Sequence, residues 1–385
     1  MKIALVYDWY TQIGGAEKCN LSINNIWEGV ENYALIDFLS DHQRKKFLKN
    51  KTVKTSFVQK LPFARKSYRN YFLFFPFAIE QFDLREFDLV ISSSSSISKG
   101  VITNHNQFHV SYVHSPARYA WNLYHDYLID SGLKKSFKGF FAKIILHYFR
   151  LWDKFTSDRP DFYIANSVNV SKRIKKIYNK ESVVIYPPVD VDMFKLGDES
   201  SNYFVTSSRM VPYKKIDLIV DAFSKTKHKL IVIGDGPEMK KVKAKSSSNI
   251  DIMGFVEKEK MIKITQKARA FIFMAEEDFG IAPVEAQACG IPVIAYGKGG
   301  ILETILGKFQ GQKISLKDTG IFFREQTKES LLEGVDFFIE NEAKFNKQTI
   351  RQNALRFSVQ RFEFEIKKTV VENYHFWSNE NLKKR

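Results

Sequence analysis

Cysteine is nearly missing from this chain. Cys19 and Cys289 are the only two in 385 residues and stand in opposite halves. That excludes a disulfide framework and a cysteine-based zinc site, and it suits a reducing compartment. Missing too is any run of about 18 apolar residues, so no segment reads as a membrane-spanning helix. The apolar start MKIALVY meets Asp8 too soon to act as a secretory leader. The expectation is a soluble or peripheral intracellular protein. Acid is scarce relative to base: 43 Asp and Glu against 59 Lys and Arg, a formal charge of +16. Such an imbalance favours anionic partners, whether nucleic acid, phosphorylated small molecules or an anionic membrane face. Solubility plus a biased base composition, with Lys, Asn, Ile and Phe all abundant, explains the same excess equally well.

What is present reads as two globular α/β domains. Hydrophobic residues make up 44% and charged residues 26%, the balance of a folded chain, and the length suits two cores. The first half opens with the strand KIALVYDW and the glycine turn QIGGAEK, which leads into a helix. The short apolar runs YALID, FDLVISS, HVSYVH and FYIAN then read as buried strands of a parallel sheet. Pro187 and Pro188 forbid regular structure and mark a boundary. We expect domains over 1–187 and 188–365, with a C-terminal helix at 366–385 packing back on the first. The second half alternates again, with strands in YFVTSSR, KLIVIGDGP, IDIMGF, AFIFMA and PVIAYG separated by helical segments. The fold class is therefore α/β, two doubly wound parallel-sheet, Rossmann-like domains facing a central cleft, with ligands at the strands' carboxyl ends.

Two stretches carry chemistry. In FIFMAEEDFGIAPVEAQACG, Gly280 permits a sharp turn and Pro283 suits the first turn of a helix. Peptide N–H groups of residues 279 to 282 would then form an anion site. Glu285, expected in the first helical turn, could accept from vicinal hydroxyls, and Glu277 would face the same pocket. Read alone, Glu285 is equally a helix-dipole residue and Glu277 a solvated one. In TSSRMVPYKK, Arg209 and Lys214 flank a loop after a strand. Together they can clamp a diphosphate, Arg as a planar fork and Lys as a point charge, with Lys215 a competing candidate.

The combination SRMVPYKK, VIGDGP, MGFV, EEDFGIAPVEAQACGIPVIA and GGILET resembles the family 4 retaining glycosyltransferases, which have the glycosyltransferase-B fold. The first-half stretches GGAEK, LVISSSSSISKGV, YVHSPARYAW and FYIANSVNVSKRI extend the likeness toward bacterial mannosyltransferases that use GDP-mannose to build O-antigen or other surface polysaccharide. The resemblance implies that Glu285 meets the ribose and Glu277 the donor sugar, and that Arg209 and Lys214 hold the diphosphate. The Phe279–Gly280–Ile281 backbone would meet sugar and phosphates, and Val256 would read the base edge. Gly14 and Gly15 would approach the donor phosphates from the first domain. His114 takes the position of an active-site histidine facing the reacting sugar, and Arg118 that of an acceptor contact. It implies no cofactor and no metal. The partners would be a nucleotide sugar and a saccharide or lipid-linked oligosaccharide acceptor, with peripheral association to the anionic cytoplasmic face of the inner membrane and no nucleic acid. The different-class alternative is a non-catalytic basic protein binding nucleic acid or membrane.

Other signals are weaker. Asp190-Val191-Asp192 spells D-x-D but follows two prolines and reads as a helix cap. GDGPEM, with Gly234 and Gly236, lacks the third glycine of a dinucleotide fingerprint. His105 and His109 are spaced i, i+4 in a loop entering a strand, not on a zinc helix. SSSSS at 92–96 reads as a polar linker. In GLKKSFKGFFAKIILHYFRLWDKF, the stripe Phe137, Phe140, Phe141, Ile144, Ile145, Tyr148 and Trp152 recurs at helical spacing, with Lys134, Lys135, Lys138, Lys143 and Arg150 interspersed. We expect most of that stripe to pack in the core, with the lysines at a membrane; KLPFARKSYRNYFLFFPF poses the same choice.

Overall fold

The computed structural model describes residues 1–49, 51–134, 136–197 and 201–383. Lys135 of the basic stripe, and Lys384 and Arg385 of the expected last helix, lie outside the described residues. The chain divides into two compact units. The first is Met1–Pro188 with the C-terminal segment from Phe362, and the second is Val189–Arg361.

Unit 1 is built on seven strands: β1 (Ile3–Tyr7), β2 (Glu31–Ala34), β3 (Val53–Thr55), β4 (Leu89–Ser94), β5 (Phe108–Val113), β6 (Phe162–Ala165) and β7 (Val183–Val184). They form one parallel sheet in the order β3-β2-β1-β4-β5-β6-β7. Both faces are covered, so alternate residues of one strand serve different cores. Ile3 and Leu5 pack with Cys19 and Ile23, while Ala4 and Val6 pack with Phe75, Ala78 and Ile79. The C-terminal helix Val359–Lys383 lays Phe362, Ile366 and Val370, spaced four apart, into the first of these cores.

Unit 2 repeats the plan with β8 (Tyr203–Ser207), β9 (Lys229–Ile233), β10 (Ile250–Gly254), β11 (Phe271–Phe273), β12 (Val293–Tyr296), β13 (Gly307–Phe309) and β14 (Gly320–Phe323), all parallel, in the order β10-β9-β8-β11-β12-β14-β13. Phe204, Val232, Ile272, Ile294 and Ile321 form one layer beneath the helices Ile216–Phe223 and Lys328–Asn341. In each sheet the chain winds outward in one direction and then the other, reversing between β1 and β4 and between β8 and β11. Loops on the two sides of such a reversal diverge and leave room for a ligand at the carboxyl edge.

Two expectations are corrected here. The helix Phe137–Phe155 forms, but five of its seven stripe residues (Phe137, Phe140, Phe141, Ile144 and Tyr148) are 38 to 80% exposed. The face turned inward is instead Gly139, Leu146, Phe149 and Asp153. Gly139 sits there because a Cβ would lie 1.7 Å from the Leu133 carbonyl oxygen. No helix follows the D-x-D: Asp190 opens a turn closed by the Met193 amide at 3.3 Å, and Asp192 accepts from Gln360 at 3.1 Å. Among the described residues no helix is long and apolar enough to cross a membrane.

Candidate active site

Two loops that carry sequence-selected residues of unit 2 leave the sheet at the β8/β11 reversal. After β8 the chain runs through Arg209 to a short 3₁₀ turn, Pro212–Lys214, and enters the helix Ile216–Phe223. After β11 it runs through Glu276 and Glu277 into the helix Ile281–Ala288. Lys214 Nζ donates to Glu277 Oε1, and both side chains are mostly buried, so the two loops are joined at their tips. The same ammonium stands 5.7 Å from the centre of the Phe273 ring, at the end of β11. Lys215, the competing candidate, occupies the left-handed start of the next helix at φ 56° and makes no such pair in the ion pairs described. Arg209 is exposed.

Glycines hold these loops in place. The amides of Ser208 and Met210 donate to Ile233 and Asp235 carbonyls at 3.0 and 2.9 Å, which locks the Arg209 segment onto the GDGP loop. A Cβ on Gly234 would lie 1.9 Å from the Ser208 carbonyl oxygen, and one on Gly236 would lie 2.4 Å from that of Met210. On the other side, the Gly300 amide donates to the Glu277 carbonyl at 2.8 Å. A Cβ on Gly300 would be 2.0 Å from the Asp278 carbonyl oxygen. Lys298 pairs with Glu276 at 3.1 Å. The sequence reading gave Gly299, Gly300 and Lys298 no role; the signal was GGILET, whose paired glycines permit contact between backbones.

Gly280 takes φ 89° and caps the helix Ile281–Ala288, whose leading amides have no carbonyl one turn earlier to bond. Phe279 turns its ring into the core against Phe357, 5.2 Å between centroids, which leaves its backbone as the part available to a ligand. Pro283 is the third helical residue, as its fixed φ allows. Glu285 is the fifth residue of the helix, in its second turn and half-buried, not in the first turn as expected. The helix begins at Ile281, directly after the left-handed Gly280, which is earlier than a first-turn place for the glutamate required. Val256 lies just beyond β10, half-buried, after Gly254 at φ 68° and an exposed Phe255. The Gly234 amide donates to the Gly254 carbonyl at 2.8 Å, so this loop too joins the same edge.

Gly14, Gly15, His114 and Arg118 belong to unit 1. Gly14 caps the helix Gly15–Ile26 in extended conformation, and its amide donates to Glu17 Oε2 at 2.8 Å. Glu17 is buried and its other oxygen accepts from Tyr7 at 2.8 Å. Burial raises its carboxyl pKa, against the lowering effect of these bonds. Glu17 was not singled out from the sequence, yet it fixes the glycine turn to β1. His114 follows β5, and its Nε2 lies 2.8 Å from Ser93 Oγ. Burial pushes the ring down to about 4, so it is neutral at physiological pH. Arg118 is half-buried four residues on.

The serine run is not a linker, contrary to expectation. Ser92, Ser93 and Ser94 are buried in β4, where a parallel central strand beside two histidines needs small hydroxyls. Ser92 Oγ meets His109 Nε2 at 2.9 Å, and Ser93 meets His114. Asp8, at the end of β1, accepts from the amides of Ser95, Ile97 and Ser98 at 2.6, 2.8 and 2.8 Å and so ties down the loop that follows. His105 lies in a turn and His109 in β5.

Comparison with known proteins agrees with this architecture. Residues 189–356 match the family Glycosyl transferases group 1. The chain is 26% identical over 239 residues to the uncharacterized glycosyltransferase MJ1178 of Methanocaldococcus jannaschii, covering 60% of this chain and 61% of that protein. It is 26% identical over 187 residues to the D-inositol 3-phosphate glycosyltransferase of Mycobacterium marinum, covering 42% of this chain and 40% of that one. The matches thus span about two-fifths to three-fifths of these relatives' length. Among solved structures, Anabaena Alr3699/HepE in complex with UDP and glucose is similar at TM-score 0.66 and 19% identity, over 96% of this chain and 99% of that one. The apo lipopolysaccharide outer core galactosyltransferase WaaB is similar at TM-score 0.64 and 17% identity, over 97% and 100%. At such identities the likeness speaks for the fold, and the fold is that of these glycosyltransferases. The matched residues, 189–356, fall within unit 2, and it is this unit that is similar to the glycosyl transferases of group 1. None of these four proteins is described as a mannosyltransferase.

Proposed function

We propose that the chain is a retaining glycosyltransferase. Unit 2 binds a nucleoside-diphosphate sugar and unit 1 a saccharide acceptor. The observation that carries this reading is the meeting of Lys214, Glu277 and the start of the helix Ile281–Ala288 at the β8/β11 reversal. Breaking a sugar–phosphate bond puts positive charge on the sugar and negative charge on the departing diphosphate. Fixed donors and cations aimed at the diphosphate favour that separation, because they are already oriented when the charge develops. On binding, Lys214 exchanges the Glu277 carboxylate for phosphate oxygens, and Arg209 adds a second, exposed cation. Glu277, released, accepts from a sugar hydroxyl; Glu285 accepts from the ribose; the Phe279–Gly280–Ile281 backbone meets sugar and phosphate; and Val256 meets the base. The acceptor hydroxyl attacks on the face the diphosphate leaves, and a phosphate oxygen takes its proton. No covalent enzyme nucleophile is required. Neutral His114, oriented by Ser93, serves as a hydrogen-bonding group, with Arg118 at the acceptor, and Glu17 braces the Gly14–Gly15 turn.

Mannose from GDP-mannose is the donor we propose, on the resemblance of GGAEK, YVHSPARYAW and FYIANSVNVSKRI to mannosyltransferases of surface polysaccharide synthesis. A UDP-sugar is the second reading, favoured by the UDP bound in a structure of the same fold. Neither a metal nor a cofactor is part of the proposal, and nucleic acid is not a partner. The exposed aromatic face of the helix Phe137–Phe155, flanked by the exposed Lys138 and Lys143, supports peripheral association with an anionic membrane on its cytoplasmic face. Glu285→Ala and Arg209→Ala should each lower turnover at least about 100-fold while the far-UV circular dichroism spectrum is retained. Full activity in both variants would overturn the site.

A further inference from the structure

Beneath the exposed aromatic helix, unit 1 contains a cavity of about 460 Å³. Its walls are Trp9, Tyr68, Phe72, Phe75, Tyr119 and Leu146, with Ala142 and Ile145 supplied by the helix Phe137–Phe155 and Arg69 beside them. A space of this size, apolar with one charged group, has the make-up of a small-molecule site. Leu73, itself part of the lining, is exposed, as are Phe74 and Phe77 further along the same segment.

Charge narrows the occupant. Arg69 is exposed and lines the cavity, Arg65 and Lys66 stand exposed on the turn before it, and Lys143 follows Ala142 on the helix. No acidic side chain lines the cavity among the described residues. A neutral oil would not use these cations, and an inorganic anion would not use the aromatic walls. A molecule with one hydrocarbon chain and a phosphate head uses both.

Position links the cavity to the acceptor side of unit 1. Trp9 is two residues past β1, next to Asp8, at the carboxyl edge of the sheet. Tyr119 OH lies 2.5 Å from Ser96 Oγ, three residues along from the Ser93 that holds His114. One short segment therefore connects a cavity wall with the candidate active-site histidine.

We propose that this cavity takes the hydrocarbon chain of a single-chain lipid phosphate, the anchor of a lipid-linked acceptor, with Arg69 pairing the phosphate. Calling the lipid an acceptor rests on the glycosyltransferase reading, whereas binding of the chain does not. The test is calorimetric titration of the full-length protein with farnesyl phosphate below its micelle-forming concentration, with farnesol and inorganic phosphate as controls. Farnesyl phosphate should bind, farnesol more weakly, and inorganic phosphate not at all. Ala142→Trp, which fills the cavity, should weaken farnesyl phosphate about tenfold or more. Should that variant melt differently from the parent, Arg69→Glu on the exposed rim supplies the test. It should weaken farnesyl phosphate about tenfold and leave farnesol within about twofold, since only the charged partner is lost. No binding by the parent protein, or equal binding by a folded Ala142→Trp variant, overturns the proposal. Thermal stabilisation by nucleotide sugars is measured on the same samples. Its absence beside intact farnesyl phosphate binding would sink the transferase reading and leave the lipid site standing.

Discussion

Replacing Lys99 by Met should destabilise unit 1 by about 3–5 kcal/mol, the cost of stranding a buried charge. Lys99 is 1% exposed and its partner Asp153 is fully buried. The ammonium donates to Asp153 Oδ1 at 2.7 Å, to the Asp153 carbonyl at 2.9 Å and to Thr156 Oγ1 at 3.1 Å, and it lies over the rings of Trp152 and Tyr178. Asp153 also accepts from Trp121 Nε1 at 2.7 Å and from Tyr178 OH at 3.0 Å. Met fills the aliphatic stem but leaves a carboxylate with only neutral donors. A domain's stability is about 5–15 kcal/mol, so such a loss removes a large share of it. The double variant Lys99→Met/Asp153→Leu removes both charges and orphans only the Trp121, Tyr178 and Thr156 groups. It should therefore cost less than the two single changes together, with a coupling of about 2 kcal/mol or more. Urea unfolding followed by tryptophan fluorescence reads the right unit, because all five tryptophans (Trp9, Trp27, Trp121, Trp152 and Trp377) belong to unit 1. A single variant costing less than about 1 kcal/mol, or strictly additive changes, would refute the reasoning.

Acid should weaken unit 1 through buried His109 and half-buried His114. Burial, followed by the charges of Arg159 and Lys99, pushes His109 down to about 3, and burial pushes His114 to about 4. The unfolded chain binds those protons near pH 6.5 and the folded chain does not, so their contribution is fully present above about 6.5. It is lost as pH falls toward 4, at up to about 1.4 kcal/mol per pH unit for each ring. Buried Asp8 and Glu17, whose carboxyls are raised by burial, act in the opposite sense. The readout is therefore the difference between parent and His109→Gln, whose urea midpoint should fall less between pH 7 and 5; parallel slopes would contradict this. Gly300→Ala should displace the Glu277–Phe279 backbone, because its Cβ would meet the Asp278 carbonyl at 2.0 Å. A stability loss of about 1–3 kcal/mol is expected, together with nucleotide-sugar binding weakened at least about tenfold in a thermal-shift titration. Unchanged binding would mean that loop does not touch the donor.

Much of the fold could be read directly because parallel strands buried on both faces appear as short apolar runs. β1, β4, β5, β6, β8, β9 and β12 all stood out that way. β3 and β13 did not, since VKT and GKF are short, polar and only partly buried at sheet edges. The exposed stripe of the helix Phe137–Phe155 misled because aromatic spacing was taken for the buried face. The face that packs carries a glycine, an aspartate and only two large apolar residues. In the candidate site, Lys214 and Glu277 were legible as charges at strand ends, and their ion pair joins them. The positions that set backbone spacing were harder to see. Gly234, Gly236 and Gly300 matter through the side chains they lack, and Glu17 acts through a hydrogen bond to a turn three residues earlier. Neither effect leaves a periodicity to count.

The central claim is that unit 2 holds a nucleoside diphosphate sugar at the β8/β11 edge. The most direct measurement is the thermal shift of the full-length protein with GDP-mannose, UDP-glucose, UDP-galactose and UDP-GlcNAc, beside the Glu285→Ala variant. One donor at about 100 times its dissociation constant should stabilise the parent by about 2.7 kcal/mol, and Glu285→Ala should abolish most of that shift. No shift with any of the four, or a shift that Glu285→Ala leaves intact, would contradict the account.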